Sequence, residues 1–256
     1  MKNDIFIENL NFNYDGTPVL KDVNLTYDVG DFLSIIGPNG GGKSTLLKLM
    51  IGLLSPTSGS ILVFGKKPQE ISQRISYVPQ DTHVNKNFPI SVRDVVLMGR
   101  LSKSKKLFGH SAKDQKIVEQ MLEKVDMLPF ANNSISALSG GQRQRVFIAR
   151  ALASEAEILF LDEPTASIDT SGQIAMFKLL KSLNKTVGIV IVSHDINVAL
   201  NYATKIAHVD KTLYMHDAPI PQNTTLFDAQ RTSKQHVCPV EIICATRCNH
   251  IHKELS

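Results

Sequence analysis

Three short apolar runs constrain the fold of this 256-residue chain more than any other feature. FLSIIG at 32–37, ILFLD at 158–162 and GIVIVSH at 188–194 are each continuously hydrophobic, then stop at glycine or polar residues. A half-exposed strand alternates apolar and polar side chains, whereas a strand covered on both faces has no polar face to show. The runs are strand-length and separated by helix-length segments, so they predict parallel strands inside an α/β sheet. Ligands of such sheets bind beyond the carboxyl ends of the strands. Residues 37–44, Asp162 with Glu163, and His194 are therefore expected along one edge, although they lie far apart in sequence.

Two regions read differently. IFIENLNFNY and VLKDVNLTYD alternate around Asp15 and Gly16, which predicts a small N-terminal antiparallel sheet. Between 81 and 137 a helical period appears in SVRDVVLMG and DQKIVEQMLEKVDML, joined by the basic stretch LSKSKKLFGHS, which predicts a mostly helical insertion.

At 43% hydrophobic residues the chain can bury a core without staples. Its 28 basic and 24 acidic residues are interspersed, which gives no electrostatic footprint for nucleic acid. Apolar runs such as IVIV at 189–192 fall far short of the roughly 20 residues that cross a bilayer, so any membrane role is expected to go through a partner. Asp4 and Glu8 interrupt the N-terminus where a secretory signal needs an apolar core, and export is not expected. Cys238, Cys244 and Cys248 all lie near the C-terminus and form no paired framework, so reduced thiols in the cytosol are the expectation.

Residues 37–45 read GPNGGGKST, which satisfies G-x-x-x-x-G-K-[ST] between an expected strand and the apolar LLKLMIGLL, read as a helix. Glycines in such a loop leave N–H groups free to surround phosphate oxygens, and the helix start adds partial positive charge. Gly37, Pro38, Asn39, Gly40, Gly41, Gly42 and Thr45 form the cradle. Lys43 supplies full charge to the β and γ phosphates, and Ser44 is placed to ligate the Mg²⁺ that bridges them. ILFLDEP supplies the second half: Asp162, ending a buried strand, holds Mg²⁺, and Glu163 polarises a water for in-line attack. Capping of a following helix is the alternative role for adjacent acids.

Residues 138–142 read LSGGQ and open the apolar-striped QRQRVFIARALA, a second anion-attracting helix start. Taken in order, GPNGGGKST, YVPQ at 77–80, LSGGQ, ILFLDEP and SHD at 193–195 resemble the ATP-binding-cassette ATPases over nearly the whole chain, to about residue 220. The resemblance implies an α/β P-loop NTPase (RecA-like) core at 1–80 and 138–220, with a parallel sheet, an N-terminal antiparallel β subdomain and an α-helical insertion subdomain at 81–137. Residues 221–256 are read as a C-terminal extension. ATP and Mg²⁺ are the implied cofactors. Tyr14 is implied to stack on adenine, Gln80 to contact Mg²⁺ at the joint with the insertion, and His194 to touch the γ phosphate. The plainer alternatives are a strand tyrosine packed on the small sheet, a solvated loop glutamine and a core histidine. Ser139, Gly140, Gly141 and Gln142 are implied to cover the ATP of a second copy, in a head-to-tail dimer. In one place the chain departs from the family pattern: 166–169 read ASID where S-A-L-D is usual, so Asp169 is kept and the hydroxyl stands at Ser167.

The implied setting is the inner face of the cell membrane, with an integral-membrane permease as partner and a periplasmic or extracellular solute-binding protein reached through it. FPISVRDVVLMGR at 88–100 is similar to the insertion of importers for zinc, manganese, iron or chelated iron, and zinc is the expected cargo. A soluble cassette ATPase that remodels a protein assembly is the second reading. In the tail HVCPVEIICATRCNHIH, Cys244, Cys248 and His252 recur every four residues, yet the spacing matches no standard zinc module. Cysteines buried as small hydrophobes are the expectation there.

Overall fold

The computed structural model describes residues 3–80, 89–101, 111–166 and 168–217. Strand β1 (Ile5–Tyr14) turns back into β2 (Thr17–Tyr27) at Asp15 and Gly16, both at positive φ, the geometry that matches the twist of a two-residue hairpin. Ile5, Ile7, Leu10 and Phe12 face inward from β1, and Leu20, Val23, Leu25 and Tyr27 from β2. The inward alternation slips at Asn9, whose φ is 47° and where the register shifts, so Leu10 still points into the core. A third strand, β4 (Ser58–Val63), pairs with the other side of β1 to complete an antiparallel sheet ordered β2-β1-β4.

The three apolar runs are β3 (Phe32–Ile36), β6 (Ile158–Asp162) and β7 (Gly188–Val192), and all their residues are buried. With β5 (Ile75–Val78), β8 (Lys205–Asp210) and β9 (Thr212–Asp217) they form a six-stranded sheet ordered β5-β6-β7-β3-β8-β9. All neighbours are parallel except the terminal hairpin β8-β9. Leu33, Ile35, Phe160 and Val190 pack toward the antiparallel sheet and α1 (Lys43–Met50). Phe32, Ile36, Leu159, Leu161, Ile189 and Ile191 pack toward the helices on the opposite face. Continuous hydrophobicity is thus the direct result of two covered faces.

Helix α1 is shorter than the apolar run LLKLMIGLL. Gly52, at φ 78°, donates to the Leu49 carbonyl at 3.1 Å, and Leu53 donates to Lys48 at 2.9 Å, the paired bonds of a left-handed helix stop. Leu53, beyond that stop, is 63% exposed.

The segment read as helical supplies α2 (Val92–Leu97) and α3 (Ala112–Lys124), which pack on α4 (Gly140–Ala153) through Val92, Val95, Val96, Val118, Leu122 and Val146. Each such side chain contributes roughly 1.5–3 kcal/mol when removed from water. Ser111 and Asp114 form a reciprocal capping box at the start of α3. Asp114 also accepts from Arg100 Nε at 3.0 Å, while Arg100 Nη1 donates to Glu155 and to the Ala153 carbonyl, each at 2.7 Å. Arg100 and Asp114 are both buried. The Ser111 hydroxyl, followed by the Arg100 guanidinium, holds the Asp114 carboxyl down at about 2. Two further helices, α5 (Thr170–Leu183) and α6 (Ile196–Tyr202), cover the remaining face of the large sheet. Among the described residues no helix is long and apolar enough to cross a membrane.

Candidate active site

The strand order places the carboxyl ends of β6, β7 and β3 side by side. Asp162, Ser193 and Gly37 therefore open onto one edge, as the apolar runs predicted. The Ser193 N–H donates to the Ile35 carbonyl at 3.0 Å and joins the ends of β7 and β3.

The loop after β3 enters α1 through Gly42, at φ 102°, a left-handed conformation that side chains resist. The first turn of α1, with Lys43, Ser44 and Thr45, carries no acid and no side-chain cap. Helix starts leave N–H groups without intrahelical partners, and an uncapped start suits an anion. Lys43 is buried, and its Nζ donates to the carbonyls of Gly37 at 3.0 Å and Pro38 at 2.9 Å, closing the loop around the ammonium. Pro38, Asn39 and Gly40 form the exposed crest, while Gly41 turns inward and donates to Pro38 O at 3.1 Å.

Asp162 is 4% exposed and held at both oxygens. Its Oδ1 accepts from Ser44 Oγ at 3.0 Å, and Tyr77 Oη points at Oδ2 from 3.5 Å. Burial, then the charge of Asp162, pushes the Tyr77 phenol up to about 12, so it stays protonated and able to donate. The neighbouring Glu163 sits at φ 46° with its N–H on Val192 O at 3.1 Å. Its Oε2 accepts from Gln80 Nε2 at 2.7 Å. No helix starts at Glu163, which removes the capping alternative; α5 is capped by Asp169 instead, through Gly172 N at 3.3 Å. Ser171 and Gly172 hold the Asp169 carboxyl below its usual range. Ser44 and Asp162 present hard oxygen donors, with the amide of Gln80 close by through Glu163, and this set fits Mg²⁺.

His194 follows β7 and is exposed, unlike a core histidine. Tyr14 ends β1 at 44% exposure and makes a T-shaped contact with Phe12, with ring centres 4.8 Å apart. The LSGGQ segment forms its own reciprocal cap: Ser139 Oγ accepts from Gln142 N at 3.3 Å, and Gln142 Oε1 accepts from Ser139 N at 3.0 Å. Gly140 and Gly141 then open α4. Among the described residues no hydrogen bond joins Ser139 or Gln142 to the phosphate loop. Ser167 and the Cys/His tail lie outside the described residues.

Tyr77 stood in view within YVPQ, yet nothing in the sequence says which face of β5 it occupies. The β8-β9 hairpin, which touches the phosphate loop, left only a weak alternation in KIAHVDKTLYMHD. A buried ammonium in a glycine loop, a hydroxyl–carboxylate pair and a second carboxylate steadied by an amide are the parts needed to move a phosphoryl group to water.

Comparison with known proteins agrees with that chemistry. The model of the ABC transporter family matches residues 20–166, more than half of the chain. The manganese transport system ATP-binding protein MntB of Bacillus subtilis is 43% identical over 197 residues, 77% of this chain and 79% of its own. The zinc uptake system ATP-binding protein ZurA of Listeria monocytogenes is 38% identical over 219 residues, 83% of this chain and 85% of its own. A solved dimer of the ATP-binding cassette MJ0796, in a post-hydrolysis state bound to ADP and Pi, matches with a TM-score of 0.71 at 29% identity, covering 83% of this chain and 98% of that one. The chain therefore belongs to the ABC transporter family, as one of its ATP-hydrolysing subunits.

Proposed function

We propose that this chain is the ATPase of a metal importer, that two copies close head to tail around ATP, and that zinc is the cargo. That the cargo is a metal ion is supported by one observation: relatives named for manganese transport and for zinc uptake each match more than three quarters of the chain. Zinc is the narrower choice within that pair.

The edge geometry supports the following mechanism. The N–H groups of the glycine loop take the phosphate oxygens, and Lys43 exchanges its two carbonyl partners for the β and γ phosphates. Tyr14, exposed at the end of β1, stacks on adenine. Ser44, Asp162 and Gln80 would hold Mg²⁺, which would supply charge neutralisation at the phosphates. Glu163 takes a proton from the attacking water; the 2.7 Å bond from Gln80 keeps its carboxylate aimed at the site. His194 donates to the γ phosphate from the end of β7. Ser139, Gly140, Gly141 and Gln142 of the second copy cover the same phosphate, so hydrolysis removes the contact that holds the two copies together. The MJ0796 cassette, solved as a dimer with ADP and Pi, supports this arrangement.

The permease is assigned to the side where apolar surface collects. Leu53, with Ile51, Ile75, Tyr77 and Ser154, lines a cavity of about 330 Å³. Nearby, exposed Met98 and Leu101 flank Arg100, which bonds Ala153, the neighbour of Ser154. A permease segment seated there would act through the chain and add no span to it. Purification from membranes, followed by identification of the attached permease and uptake of radiolabelled zinc or manganese into vesicles, tests the reading. Zinc-selective uptake that requires ATP is the expected result. Manganese-selective uptake moves the cargo, and a soluble partner with no uptake overturns the transport reading.

A further inference from the structure

The β8-β9 hairpin grips the phosphate loop from behind. Lys211, the single residue between the two strands, donates its N–H to the Gly41 carbonyl at 3.0 Å and accepts from the Lys21 N–H of β2 at 2.7 Å. It adopts φ 59°, a left-handed conformation that turns both its peptide groups toward these partners. Its side chain is exposed, so the contact is made by backbone alone. Two residues earlier, the Val209 carbonyl lies so close under the loop that a Cβ on Gly37 would run into it and one on Gly41 would come within 2.7 Å of it. Two of the loop's glycines are thus required by the hairpin as well as by any phosphate.

We infer that Lys211 is a positioning residue for phosphate binding: its peptide N–H fixes the plane of the Gly41–Gly42 peptide and so aims the loop's donors. The physical step is short. A trans peptide sets its C=O and N–H on opposite sides, so pinning the Gly41 carbonyl to the hairpin turns the Gly42 N–H away from it. Gly42 is the entry to α1, whose start carries no other cap. The antiparallel sheet, through Lys21, holds the same turn from its far side, so backbone bonds run from β2 through the hairpin to the loop. This inference rests on the nucleotide reading of the loop, and deepens it.

Lys211→Pro deletes the N–H and forbids the positive φ, whereas Lys211→Gly keeps the N–H and is at ease there. ADP and inorganic pyrophosphate, which has no base to stack, are the probes. In Lys211→Pro both affinities are expected to fall by the same factor, about tenfold, the size of one net hydrogen bond plus lost alignment. In Lys211→Gly both stay within about twofold of the parent chain, by the same reckoning. A folded Lys211→Pro chain with unchanged ADP affinity overturns the inference, and so does a loss confined to ADP. If Lys211→Pro does not fold, amide exchange in the parent chain decides: protection of the Lys211 N–H is expected to rise about tenfold with saturating ADP, and unchanged protection overturns the role. A parent chain that binds neither probe would instead sink the nucleotide reading itself.

Discussion

Among the described residues two helices open on glycines, and they treat their free N–H groups in opposite ways. Helix α1 enters from left-handed Gly42 with no cap and no first-turn acid, while α4 is closed by the reciprocal bonds of Ser139 and Gln142. The difference separates a helix start left open beside converging side chains of its own chain from one that satisfies itself. At α1 the buried Lys43, Ser44 and Asp162 already converge. At α4 the Ser139 hydroxyl accepts from its own helix, and among the described residues none of the phosphate loop bonds it. A helix start that satisfies itself can wait in water without penalty, which is what a surface meant for a second copy requires.

The largest expected effect lies on the α1 side. Glu163→Gln keeps shape and the Gln80 contact but removes the base, so turnover should fall by about two orders of magnitude or more while ATP still binds. Because the bound nucleotide then persists, ATP should trap two copies together through α4, visible by size exclusion. Near-normal turnover of the purified variant breaks the comparison at its first half.

Lys43→Ala comes next. Loss of the ammonium from the uncapped start should weaken ATP binding roughly 10- to 100-fold, the range for one charge-assisted contact. Calorimetry giving the parent affinity would mean that α1 does not hold phosphate.

How much of this was legible follows from burial. Strands β3, β6 and β7 announced themselves because both faces are covered, and the phosphate loop because its chemistry demands a fixed spelling. Strands β4 and β9 did not, since SGSILV and TLYMHD mix exposed and buried positions without a clean period. Gly52 was in plain sight inside LLKLMIGLL, yet an apolar run does not reveal that a glycine in it will go left-handed and end the helix. Nothing in the sequence joins Arg100 to Asp114, fourteen residues apart; only the packing of α2 and α3 onto α4 buries them together. The Lys211 contact was out of reach for a different reason: a backbone bond leaves no trace in residue type.

A third test separates the two duties of Ser139. Aspartate is as good a helix cap as serine, so Ser139→Asp should keep stability within about 1 kcal/mol and leave ATP affinity of the single chain unchanged. Its charge would face the partner's γ phosphate, so ATP-driven pairing should vanish and hydrolysis drop about tenfold, as expected for one repelled contact of about 1.4 kcal/mol. Retained pairing would show that α4 does not cover nucleotide and that its self-made cap is only structural.

The smallest effect uses acid. The cap of α3 pairs Ser111 with Asp114, whereas that of α4 pairs Ser139 with neutral Gln142, so only the first can titrate. Asp114 sits at about 2 in the fold against 3.8 unperturbed, held down by the Ser111 hydroxyl and then Arg100. A depressed carboxyl gives stability that is fully present above its unfolded value and lost as pH falls toward its folded one. Between pH 4 and 2 that contribution therefore drains away. Asp114→Asn should be less stable than the parent near neutral pH by a few degrees in Tm, and the gap should narrow steadily as the pH is taken from about 5 downward. Gln142→Ala, which opens the neutral cap, should show a gap in Tm that does not change over the same range. A pH-independent gap for Asp114→Asn would mean that Arg100 is held in place by Glu155 and Ala153 alone, and that the α3 cap, like that of α4, draws nothing from charge.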